Sequence, residues 1–102
     1  MLIVDDASTD DTQSVLARLV TTDSRVRVLR LASQRGAQFA RNEALRNAAG
    51  RFVTGIDDDD EMLPGRISML LAAFQHHYAF VCSGAYIQQG KWRRPSRTTR
   101  SE

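Results

Sequence analysis

An α/β fold built on a mostly parallel sheet is predicted by this sequence, on three observations. Short apolar runs alternate with stretches of helical periodicity along the 102 residues, in the order β-α-β-α-β-α-β. Glycine and proline punctuate the boundaries, at Gly36, Gly50 and Pro64. Acidic residues close two of the apolar runs, as Asp5-Asp6 and as Asp57 to Asp60. Strands separated by helices form parallel sheets with right-handed crossovers, and such sheets bind ligands beyond the carboxyl ends of their strands. Both acidic clusters are therefore expected at one edge, facing a common crevice.

Each element has a local reason. Leu2-Ile3-Val4 is a short buried strand that stops at Asp5-Asp6. In "ASTDDT", Ser8 and Thr9 are N-cap candidates, with Asp10 and Asp11 favourable at the positive end of the helix dipole. Val15, Leu16, Leu19 and Val20 then recur at helical spacing. "RVRVLRL" alternates as a strand, and "ASQRG" is a loop in which Gly36 supplies a turn of positive φ. "AQFARNEALRNAAG" predicts a helix with Phe39, Ala40, Ala44, Leu45 and Ala48 on one stripe and Gly50 as its stop. "RFVTGI" is expected as the third strand, Pro64 as the first residue of a third helix running to Phe74, and "YAFVCSGAYI" as a fourth strand.

Composition bounds the class. The chain is 42% hydrophobic and 25% charged, ordinary for one globular domain. Its apolar runs fall well short of the roughly 20 residues that cross a bilayer, and its start lacks the pattern of a signal peptide. Cys82 is the one cysteine, which excludes an intrachain disulfide and a cysteine zinc cluster; it is expected as a small buried hydrophobe. The net charge of +2 is uneven. Residues 91 to 102 hold Lys91, Arg93, Arg94, Arg97 and Arg100 against Glu102, whereas the other 90 residues carry 9 basic and 11 acidic groups. That segment is expected to be a disordered basic tail able to touch an anionic surface.

The acidic clusters raise the chemical question. Carboxylates about 4 Å apart repel by several kcal/mol at a surface dielectric. A hard divalent cation reverses the sign, and Mg²⁺ characteristically takes one or two carboxylates and completes its shell with phosphate oxygens. On an extended segment Asp57 and Asp59 would share one side, and Asp58 and Asp60 the other. The plain alternative is a solvated acidic loop. Asp5 and Asp6 have theirs in helix capping, and Arg41, a candidate phosphate partner, in a surface ion pair. No "GxxxxGKS" or "GxGxxG" is present, which argues against those two nucleotide-binding modes. A two-histidine site at His76-His77 is not expected, because adjacent helix positions face apart.

The stretches "LIVDDASTDDT" and "QRGAQFARNEALRNAAGRFVTGIDDDDEMLP" resemble glycosyltransferases of family 2, whose pattern runs "vvDDgStD", then "nxGxxxARNxgl" and "lDxDDxxxP". The resemblance covers about residues 2 to 75, with Ala7 in place of the usual glycine and Gln34 in place of asparagine. It implies a three-layer GT-A-like fold, a Rossmann-like nucleotide-binding half, and transfer of a sugar from a nucleotide-diphosphate donor, commonly UDP-linked. By position, Asp6 would contact the nucleobase with Asp5 beside it. Asp57 and Asp58 would lie at the ribose and diphosphate, and Asp59 would hold Mg²⁺ or Mn²⁺. Arg41 matches the arginine of "ARN". An inverting reaction is implied, with a saccharide, lipid or protein acceptor, no nucleic acid, and a role in cell-envelope biosynthesis. The setting implied is cytoplasmic, or peripheral at the inner face of the membrane through the basic tail.

The family's opening strand would precede Leu2, and its general base and acceptor half would follow. Residues 1 to 90 are thus expected as a partial nucleotide-sugar-binding domain, inactive alone, with the catalytic base outside it. Two rivals stand beside this reading. A phosphoacceptor receiver domain also has an acidic pair after its first strand and an aspartate after its third. It needs a lysine after its fifth strand, however, and Lys91 falls after the fourth. A non-catalytic interaction fragment is the other.

Overall fold

The structure is a computed structural model that describes residues 1–96, in two compact units divided after Val53. The first unit holds β1 (Leu2–Asp5), α1 (Thr12–Thr22), β2 (Arg27–Arg30) and α2 (Ala37–Arg46). β1 and β2 pair in parallel, with Leu2 opposite Arg27 and Asp5 opposite Arg30. Bonds from the Arg27 amide to the Met1 carbonyl (2.9 Å) and from the Leu31 amide to the Asp5 carbonyl (2.9 Å) extend the ladder at both ends. α1 packs on β2 and α2 on β1. Parallel strands cannot be joined by a tight turn, so the crossover helix α1 follows from the strand polarity. The α/β class is thus present as a β-α-β-α unit. Its parallel sheet has two strands among the described residues, fewer than the mostly parallel three-layer sheet expected.

Local chemistry shifts several boundaries. α1 begins after Asp11, later than the Ser8–Thr9 cap expected, because those residues belong to the preceding loop. The Asp10 carboxylate instead accepts the Thr12 amide at 3.1 Å, one of the donors a helix start leaves unpaired. α2 stops at Arg46, short of Gly50. Asn47 ends it by donating both its backbone N–H and its side-chain amide to the Glu43 carbonyl, at 3.2 and 2.9 Å. Its half-buried stripe is Phe39, Ala40, Glu43 and Ala44, while Leu45 is 55% exposed.

Residues 51–56, the expected third strand, form no strand. β-structure is a property of pairs, and an apolar run with no neighbouring edge leaves its amides and carbonyls without a ladder. Among the described residues β1 pairs with β2 and with no other strand.

The second unit holds α3 (Arg66–Ala73) and an antiparallel hairpin of β3 (Tyr86–Gln89) and β4 (Trp92–Pro95). Pro64 does not open α3. It sits in a turn closed by the Arg66 amide on the Leu63 carbonyl (3.2 Å), with Gly65 at φ 79° and ψ −4°. Proline second and a left-handed glycine third is the pattern of a type II turn. Only the end of the expected fourth strand is extended, and it runs into a hairpin with a Gly90-Lys91 loop in which Gly90 has φ 58°. The first four residues after Lys91 are therefore strand, where a disordered tail was expected; residues 97–102 lie outside the described residues. Cys82 is exposed, not buried. Among the described residues Val26 is the one buried hydrophobe.

Candidate functional site

The loop after β1 is built around two aspartates with different work. Asp5 is buried, its side chain 1% exposed. Its Oδ1 accepts the Ser8 amide at 2.9 Å, closing the loop on itself. Its Oδ2 has no hydrogen-bond partner and stands 3.3 Å from Arg30 Nη1, an ion pair without hydrogen-bond alignment. Arg30 also donates through Nη2 to the Ser8 carbonyl at 3.2 Å. The Ser8 hydrogen bonds, and then the Arg30 charge, hold the Asp5 carboxyl below its ordinary value of 3.8 despite burial. Asp5, expected beside the nucleobase, is thus occupied inside the unit.

Asp6 is half-buried and grips a loop 30 residues further on. Its Oδ1 accepts the Arg35 amide and its Oδ2 the Gly36 amide, each at 2.7 Å. Two parallel amide donors on one carboxylate make a short, charge-assisted clamp. Gly36 reaches it with φ 90°, the positive φ expected of this residue. The clamp fixes the entry to α2, whose first turn has no side-chain cap. Between the two aspartates and Ser8 sits Ala7 at φ 59°, the single described non-glycine residue of positive φ. This backbone demand accounts for glycine as the usual residue of the motif.

Arg41 is exposed on α2 and has an interaction partner within the structure. One position before Gly36, the Arg35 guanidinium lies 4.3 Å from the Phe39 ring centroid, a cation–π contact. Reading the sequence passed over Arg35 and Arg30. Spacing in "QRGAQF" puts Arg35 and Phe39 four apart, a legible hint, whereas Arg30 is identified only by the strand register. An open groove of about 480 Å³ between α1 and β2 counts Asp5 and Arg30 among its walls, with Leu16, Val20 and Val28. The other predicted site residues do not line it.

Asp57, Asp58 and Asp59 belong to the second unit and are exposed. The segment is a turn, closed by the Asp60 amide on the Asp57 carbonyl at 3.2 Å, so the side-sharing expected of an extended strand does not apply. Asp57 has an interaction partner; the carboxylates of Asp58, Asp59 and Asp60 have none among the described residues. No group of three or more histidine, cysteine or acidic residues there could cage a metal ion by itself. The donors are nonetheless all hard oxygens, and a cation sharing its shell between carboxylate and phosphate fits them.

Comparison with known proteins agrees with the motif order. A glycosyl transferase of Escherichia coli named for colanic acid biosynthesis is 39% identical over 93 residues, covering 89% of this chain and 33% of the relative. A Campylobacter jejuni GalNAc(5)-diNAcBac-PP-undecaprenol beta-1,3-glucosyltransferase is 37% identical, over 87% of this chain and 29% of its own length. An E. coli UDP-Glc:alpha-D-GlcNAc-diphosphoundecaprenol beta-1,3-glucosyltransferase is 36% identical, over 71% and 28% respectively. The chain therefore spans about a third of the length of these relatives. No solved structure matches it, and nothing in the comparisons favours a receiver domain. The family described as Glycosyl transferase family 2 matches residues 1–102, and the chain belongs to that family.

Proposed function

We propose that the chain is the donor-binding part of a glycosyltransferase that takes a sugar from a UDP-sugar and passes it, with inversion, to a polyprenyl-diphosphate-linked acceptor. The family match carries the reaction class. Two relatives whose names specify undecaprenol-linked acceptors, one of them also a UDP-glucose donor, support the narrower reading. The observation on this chain that carries it is the acidic turn, which exposes carboxylates of Asp58 to Asp60 with no cationic partner among the described residues.

In this reading Asp59, with Asp57 or Asp58, holds Mg²⁺ or Mn²⁺, and the remaining carboxylate takes a ribose hydroxyl as acceptor of its hydrogen bond. Bound there, the cation neutralises charge on the departing diphosphate. Asp6 keeps lone pairs beyond its two amide bonds and offers one to a base N–H. Asp5 does not touch the donor; buried against Ser8 and Arg30, it shapes the loop that presents Asp6. Arg41 pairs with phosphate on the helix that the Asp6 clamp positions.

Deprotonation of the acceptor hydroxyl needs a base that this chain is not expected to supply, so the chain alone binds donor and does not turn over. Calorimetry with UDP-glucose tests the binding. Heat that requires Mn²⁺, and a donor affinity weakened about tenfold or more by Asp59→Asn, is the expected result. Metal-independent binding would refute the metal assignment, and sugar transfer by the purified chain would refute the missing base.

A further inference from the structure

We infer that the β3–β4 hairpin is a docking surface for an anionic lipid bilayer, beyond the transfer reaction and independent of it. The first observation is charge. Between Glu61 and Glu102 the chain has no acidic residue, while Arg66, Lys91, Arg93, Arg94, Arg97 and Arg100 are basic. Three of those cations, Lys91, Arg93 and Arg94, stand on the hairpin or its loop. The side chains of Lys91 and Arg94 have no hydrogen bond or ion pair among the described residues, and the Arg93 side chain donates to a neutral group, Gln88 Oε1, at 3.1 Å.

The second observation is where the hairpin places its apolar groups. Directly opposed residues of an antiparallel pair share a face. Ile87 is opposite Arg94, and Trp92, two residues earlier on β4, falls on that same face. Trp92 is 83% exposed, and Tyr86, on the other face, is 61% exposed. The geometry therefore joins an indole, an aliphatic side chain and a guanidinium on one side, with Lys91 at the tip.

Water suits the cations and not the apolar groups, and a protein core suits the reverse. A bilayer interface takes both, because indole and phenol rings settle at headgroup depth while Lys and Arg meet lipid phosphates. Nucleic acid is the competing anion. It would leave Ile87 without a partner and offer base stacking to a single indole.

Trp92 is the one tryptophan of the chain, so its emission reports on the hairpin directly. The full chain is titrated with vesicles of mixed phosphatidylglycerol and phosphatidylcholine, with vesicles of phosphatidylcholine alone, and with oligo-dT. A blue shift and co-sedimentation are expected with the anionic vesicles. Each basic residue at such a surface contributes about fivefold in affinity, so neutral vesicles should bind about a hundredfold more weakly. Lys91→Gln, in the loop and outside the ladder, should cost about fivefold, and about 0.5 M salt should weaken binding further. The triple variant Lys91→Gln, Arg93→Gln, Arg94→Gln should lose about a hundredfold in affinity for the anionic vesicles. An unshifted emission, equal affinity for both vesicle types, or tighter binding to oligo-dT would overturn the inference. No donor or acceptor enters the experiment, so this inference and the transferase reading can each fail alone.

Discussion

Replacing Asp6 with alanine removes both acceptors of the Arg35 and Gly36 amides in one step. Each bond is 2.7 Å long and ends on a carboxylate. Hydrogen bonds to charged groups contribute about 1.5–3 kcal/mol when well shielded, and this carboxylate is only half-buried, so about 1 kcal/mol apiece is appropriate. The loop clamp is then worth about 2 kcal/mol, which corresponds to about a 30-fold change in the local opening equilibrium. Amide hydrogen exchange reads that quantity residue by residue. In Asp6→Ala the Arg35 and Gly36 amides should exchange about 30-fold faster, whereas those of Val28 and Leu29, inside the β1–β2 ladder, should change much less. Asp6→Asn should sit close to alanine, because its single carbonyl oxygen can face one amide while its NH₂ opposes the other. Unchanged exchange at Arg35 and Gly36 would refute the clamp, and with it the argument that Asp6 positions α2.

The other outcomes rest on the same loop. Ala7→Gly should stabilise the chain by up to about 1 kcal/mol in urea unfolding, since an alanine at φ 59° is strained by roughly 1–2 kcal/mol and glycine returns part of that as chain entropy. A destabilised glycine variant would mean the strain is absent. Asp5 has a folded pKa below its ordinary 3.8, so its contribution is complete above that value and is lost as pH falls through the lower folded one. Acid titration of unfolding should therefore show a stability loss below about pH 4 that Asp5→Asn flattens. An identical acid profile in both proteins would remove Asp5 from the account.

How far the sequence could be read depended on where the information lies. The two helices of the first unit, its two strands, and positive φ at Gly36 were legible, because periodicity and turn chemistry are written within a few neighbouring residues. Asp5 and Asp6 were legible as important, and the motif order placed the chain in its family. Their division of labour was not legible. Adjacent and chemically identical, they differ because one points into the unit at Arg30 and the other out at an amide pair 29 and 30 residues away.

Residues 86–95 carried a hairpin signal, a two-residue Gly-Lys loop between Tyr86-Ile87 and Trp92, that their basic composition obscured. "RFVTGI" shows the opposite case, strand-forming residues without a strand. The sequence by itself determined which segments have helical or extended preference, which turns need glycine, and which carboxylates crowd together. Tertiary structure alone decided which extended segment found a ladder partner and which carboxylate stayed open to solvent. Both depend on groups far away in the chain, and no local pattern encodes the distance between them.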